Sequence, residues 1–205
     1  MIIIIFKFLY FYKNIFKLPT GYQIKDQSSP YYITLQVVKW IDIFTRKKYR
    51  DIFIESMKYC QQEKNLEVYS YVIMSNHIHL IVRSGIDDLS GTLRDLKKYT
   101  SKQIVKEIDD EKESRRQWML KLFEFEARKR KKMSGKQLWT HENHAIQLYS
   151  NKFITEKLDY IHDNPVRAGI VECAEDYLYS SARNYAGLSS IIEIIELTRT
   201  IERIK

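Results

Sequence analysis

MSNHIHLIVR, residues 74–83, is the stretch on which the fold turns. It is an apolar, β-branched run, and it carries two of the chain's five histidines. Side chains alternate faces along a strand, so His77 and His79 point one way while Ile78 and Leu80 point the other. Two imidazoles so placed are near enough to share one cation. The same pair also reads as surface or hydrogen-bonded histidines on an exposed sheet face. A three-residue pattern does not decide between these readings.

Working outward, YYITLQVV at 31–38 reads as a strand with Ile33, Leu35 and Val37 on one face. EVYSYVIM at 67–74 and HIHLIVR at 77–83 read as two strands joined by a tight Ser75-Asn76 turn. Residues 48–63 have the spacing of an amphipathic helix, with Tyr49, Ile52, Phe53, Ser56, Met57 and Cys60 on one face. A second helix is expected from Leu89 to Ile108. Leu89, Leu93, Leu96, Thr100 and Ile104 line one stripe of it, with Arg94, Lys98 and Lys102 on another.

A third helical stretch, about 111–130, runs into ARKRKKMSGK, which reads as a solvated helix end or as a DNA-contacting run. KQLWT and AIQLYS are candidate short strands. Residues 151–163 read as a helix stopped by Pro165, and SIIEIIELTRTIERIK has the apolar spacing of a packing helix. The pattern suggests one α+β domain with a mainly antiparallel sheet flanked by helices.

Composition bounds the function. The chain has 205 residues, 44% hydrophobic and 29% charged, which suits a globular domain with a sizeable core. A net charge of +8 favours polyanionic partners, nucleic acid first and an acidic membrane surface second. Cys60 and Cys173 form no CxxC pair, which argues against a zinc ribbon or a disulfide framework and fits a reducing cytoplasm. Cys60 reads as a small core residue.

Residues 1–20 differ from the rest: their apolar runs are broken by Lys7, Lys13 and Lys17, short of the ~20 residues a membrane span needs. They read as an appended leader of doubtful function, with a membrane-surface anchor as the alternative.

LDYIHDNPVRAGIV at 158–171 places Tyr160 and Asn164 four residues apart, neighbours on one helical face. The pair offers a phenol able to act as nucleophile and an amide oxygen able to bind a metal. With fifteen tyrosines in the chain, Tyr160 also reads as a packing residue. Among its rivals Tyr149, Tyr177, Tyr179 and Tyr185, none has a ligand-type residue four positions later. His162 faces elsewhere on the helix and reads as a surface residue. A zinc site built from His141, His144 and His162 has no cysteine to help it and matches no common spacing.

Together these segments resemble the HUH single-tyrosine transposases of bacterial insertion sequences, most closely the branch associated with repetitive extragenic palindromes (REPs). Met74, His77, His79, Leu80 and Ile81 match its Met-x-x-His-hydrophobic-His segment. Tyr160 through Gly169 match its tyrosine helix running into Asn-Pro-x-Arg-Ala-Gly. DYLYSSARNY at 176–185 resembles the segment that comes after that helix in the family. The likeness spans about residues 21–187, leaving 188–205 as a C-terminal helical tail.

The resemblance implies a ferredoxin-like (RRM-like) HUH nuclease fold and a divalent metal, Mg²⁺ or Mn²⁺, held by His77, His79 and Asn164. Imidazole ligands favour Mn²⁺. Tyr160 would attack a phosphate of single-stranded DNA near a hairpin, leaving a 5′-phosphotyrosine and a free 3′-hydroxyl. Arg94, Lys97, Lys98, Lys102 and Arg167 are the candidate DNA contacts, Arg167 reading equally as a salt-bridging residue. No small-molecule substrate is expected. The protein would act as a monomer or a homodimer, in the cytoplasm and away from membranes. The alternatives are a non-catalytic, domesticated hairpin-binding protein, a replication-initiator-like HUH nuclease, and a hydrolase using the metal to activate water.

Overall fold

The computed structural model describes residues 23–109, 113–129 and 135–197. The expected leader lies outside these. Four strands form one sheet: β1 (Tyr31–Gln36), β2 (Leu66–Ile73), β3 (His77–Ser84) and the two-residue β4 (Ile146–Gln147). Their order is β2-β3-β1-β4, and every neighbouring pair is antiparallel. With α1 (Lys47–Lys64) between β1 and β2, and α2 (Leu89–Ile108) after β3, this is the ferredoxin-like split βαβ arrangement. Between α2 and β4 the chain inserts α3 (Arg116–Arg128).

Each helix forms where its apolar spacing and caps agree. On α1, Tyr49, Phe53, Met57 and Cys60 are buried on one stripe, as their spacing predicts. Asn65 then ends the helix in the left-handed region, its N–H donating to the Cys60 carbonyl. On α2 the Asp88 carboxylate accepts from the Gly91 N–H at 3.0 Å. A β-carbon at Gly91 would stand 2.2 Å from that carboxylate, so any larger residue there would make the Asp88 side chain shift.

Both faces of the sheet are covered. Opposed residues of antiparallel strands share a face, so Thr34 and Val72 lie with His79, while Leu35, Tyr71 and Ile73 lie with Ile78 and Leu80. A bulge at Tyr69, between Val68 and Ser70, switches the faces of β2, turning Ser70 and Val72 toward the histidine side. The helix α4 (Asn151–Arg167) packs on that side against β2 and β3, while α1 and α2 pack on each other and cover the apolar face.

Three sequence expectations change. Pro165 does not stop the last long helix, which runs to Arg167 with the proline inside its final turn. The Ile161 carbonyl loses only one intrahelical donor there, and Pro165 is buried with Leu158 and Ile161. Of the two short strands expected at 136–150, the chain forms only β4 and an isolated bridge between Val37 and Trp139. The C-terminal helical tail is not helical over 188–197. Ile192 is buried there and the Ile195 N–H donates to the Val68 carbonyl, so the segment is held by the sheet instead. Residues 198–205 lie outside the described part. No helix among the described residues is long and apolar enough to cross a membrane.

Candidate active site

His77 and His79 stand on one face of β3, at its start, as their alternation requires. Their ring centroids are 4.7 Å apart. His79 Nδ1 lies 2.8 Å from the Tyr32 hydroxyl and 3.0 Å from Thr34 Oγ1, both on β1. His77 Nδ1 lies 2.7 Å from Asn76 Oδ1. Each imidazole is thus anchored through Nδ1. With the Nδ1–H donated to these oxygens, the Nε2 lone pairs are left for another partner. His79 Nε2 is buried and has no hydrogen-bond partner among the described residues. A buried nitrogen left so is costly unless something binds it.

Burial holds both rings neutral. Desolvation pulls His77 down to about 4. Desolvation first, then the charges of His77 and Lys157, pull His79 down to about 3. Neutral imidazoles anchored at one nitrogen are what metal ligation asks of a histidine.

Tyr160 reaches the same place from α4. Its ring meets His79 edge-on at 5.4 Å and Tyr32 edge-on at 6.3 Å. It stays 37% exposed, so the phenol is open to an incoming chain. The Arg167 guanidinium lies 5.2 Å from the Tyr160 ring and the Lys157 ammonium 5.9 Å from it. No ion pair of Arg167 occurs among the described residues, and the side chain is exposed. Asn164 follows Tyr160 by one helical turn and is half-buried.

The other expected residues sort differently. Arg94, Lys98 and Lys102 are exposed on α2, Arg94 beside Asp95 at 3.6 Å. Lys97 is occupied. Its ammonium donates to the carbonyls of Thr140 and His141 at 2.8 and 3.2 Å and to Asn143 Oδ1 at 2.6 Å, tying α2 to the loop before β4. His162 is no surface residue: it is 5% exposed, with Nε2 2.9 Å from Ser181 Oγ. Turning away from the Tyr160 face carries it under α4 onto β2, instead of out to solvent. Among the described residues no three His, Cys, Asp or Glu side chains come together as a metal site, so His141 and His144 form none with His162.

Sequence reasoning missed Tyr32, Thr34, Asn76 and Lys157. Lys157 stands three residues before Tyr160, and helical spacing alone would have found it. Asn76 adjoins His77 but carries no pattern of its own. Tyr32 and Thr34 become visible only once the β1–β3 register is known.

Comparison with known proteins gives the class. Residues 29–127 match the family described as transposase, IS200-like. The matched span holds both histidines and ends before Tyr160. A more particular likeness is structural: the solved structure of a REP-associated tyrosine transposase bound to a REP hairpin matches 91% of this chain and 99% of its own, with a TM-score of 0.59. Sequence identity is 17%, so that likeness is one of fold, and it extends over the tyrosine helix. No curated protein matches the chain.

Proposed function

We propose that this protein is a transposase-type endonuclease that cuts and rejoins single-stranded DNA beside hairpins. The observation that carries the reading is the meeting of Tyr160 with His79, whose buried Nε2 has no hydrogen-bond partner among the described residues. The REP-associated relative of the same fold is bound to a REP hairpin, which supports a hairpin as partner. His77 and His79, with Asn164 as third ligand, would hold a divalent cation, Mn²⁺ or Mg²⁺. When bound, that cation supplies Lewis-acid polarisation of the scissile phosphate.

The protein's own groups do the rest. The Tyr160 oxygen attacks phosphorus, and the bond from phosphorus to the 3′-oxygen breaks. The 3′-oxygen leaves as a hydroxyl, having gained in net the proton the phenol lost. A 5′-phosphotyrosine remains, a diester comparable in energy to the one broken, so rejoining needs no ATP. Arg167 and Lys157 flank the ring with positive charge where the phosphate must sit. Tyr32, Thr34 and Asn76 keep the imidazoles oriented.

The test uses end-labelled single-stranded DNA carrying hairpins from the gene's flanks, incubated with protein and Mn²⁺. Denaturing gels and mass spectrometry should find an adduct on Tyr160, absent in Tyr160→Phe, His77→Ala and His79→Ala. Tight hairpin binding that persists in wild type with no adduct would replace the nuclease with a non-catalytic hairpin binder. Cleavage that survives in Tyr160→Phe would mean that the metal activates water.

A further inference from the structure

Lys39 and Trp40 are consecutive non-glycine residues with positive φ, 55° and 56°. L-residues with side chains of this size rarely adopt that conformation, and it persists only where the surroundings enforce it. Here they do. The Val37 N–H donates to the Asn76 carbonyl at 3.0 Å and the Val38 N–H to the Leu138 carbonyl at 2.9 Å. Val37, Val38 and, beyond the turn, Ile41 are buried. With both ends pinned in the core, the left-handed turn between them throws Trp40 outward.

The outcome contrasts with Trp139; Trp118 on α3 is also exposed, at 47%, but of the tryptophans only Trp40 has a described ring contact with a histidine of the site. Trp139 is buried, its Nε1–H donating to Thr100 Oγ1 at 3.0 Å. Trp40 is 58% exposed, and its described ring contact is edge-on to His77, 5.9 Å between centroids. A strained turn that displays a large aromatic ring to water beside the paired histidines gives nothing to the core. It does place an open π-surface one ring away from where a phosphate would be cut.

We propose that Trp40 is a stacking platform for an unpaired nucleobase next to the scissile phosphate. The proposal rests on the reading of the site as one for single-stranded DNA and adds a base-binding subsite to it. Aromatic side chains bind single strands by stacking on bases, a contact any of the four bases can make. The platform therefore sets where along the strand the phosphate lies while discriminating little between sequences. The turn is also bonded to the residue just before His77, so ring and ligand are held as one unit.

The experiment measures hairpin binding in EDTA, where no cutting proceeds, by anisotropy of a labelled hairpin with a single-stranded flank. Trp40→Ala should weaken binding at least about fivefold, within the range stacking supplies. Trp40→Phe should retain most of the affinity. Trp40→Asn, which suits the left-handed turn, should behave like Trp40→Ala and so separate the ring from the turn's folding. A series of flanks, each with one abasic position, completes the cycle: one position should cost wild type about the same factor and cost Trp40→Ala nothing further.

Losses that add at every abasic position, or no loss in Trp40→Ala, would overturn the platform. So would an effect confined to Mn²⁺ affinity, which would make Trp40 a prop for His77. Adduct formation on Tyr160 is scored separately. A cycle that closes without any adduct would keep the platform and refute the nuclease. An adduct with no Trp40 effect would do the reverse.

Discussion

At the scale of single residues, His77 and His79 are held neutral by burial, at about 4 and about 3 against an ordinary value of 6.5. In the unfolded chain both take up a proton as pH falls through 6.5. In the folded protein they do not until about 4 and 3. Between those limits the unfolded state binds more protons, so stability is lost as pH falls. The metal-free protein should therefore show a falling urea midpoint from pH 6.5 to 4.5, and the decline should be shallower in His79→Gln. Glu113 and Asp95, whose carboxyls are also held low, add to the loss only nearer their own range. An equal slope in wild type and His79→Gln would show that the imidazole is not buried as described. The two histidines were legible in the sequence because a strand's period of two is rigid. Their Nδ1 anchors were not, since Thr34 reaches His79 only through the strand pairing.

At the scale of elements, the tyrosine helix is fastened by a small polar cluster. His162 Nε2 stands 2.9 Å from Ser181 Oγ and 3.4 Å from Ser70 Oγ, and the two serine oxygens are 2.9 Å apart. Ser181 Oγ also accepts from the Tyr71 N–H at 3.0 Å. Residues 179–181 run along the free edge of β2, bridged at Val72 and Ser180, and Tyr177 donates to the Ile73 carbonyl at 2.7 Å. This segment shields a sheet edge and at the same time carries the hydroxyl that meets α4. Ser181→Ala changes volume least, yet leaves His162 Nε2 and the Tyr71 N–H without that partner. It should cost about 1–3 kcal/mol in urea unfolding, the usual penalty for stranding buried polar groups. A loss of only a few tenths would show that the cluster does not fasten the helix. The helix itself was legible over residues 151–163, though not its last turn through Pro165 to Arg167. The burial of His162 was not: which side of α4 meets the sheet depends on the Tyr69 bulge, which periodicity in a single strand does not reveal.

At the scale of the whole molecule, the net charge of +8 is the feature most easily read and least easily assigned. Four cations of α2 looked alike in the sequence, and the fold divides them. Lys97 has all three ammonium donors committed to the 140–143 loop, while Lys98 and Lys102 project into solvent and Arg94 keeps only a long contact with Asp95. Phosphate contacts release counterions, so hairpin affinity should fall steeply between about 50 and 200 mM salt. If α2 faces the DNA, Lys98→Gln and Lys102→Gln should each weaken binding and flatten the logarithmic salt slope by about one unit or less, since single strands release fewer counterions than duplex. Lys97→Gln should behave otherwise: it frees the loop that hands its Asn143 carbonyl to the Thr34 N–H at 2.8 Å. Its cost should appear in unfolding and leave the salt slope where it was. Wild-type affinity indifferent to salt would remove the electrostatic account altogether. A slope altered by Lys97→Gln but not by its two exposed neighbours would move the DNA from the outer stripe of α2 to the loop beside β1.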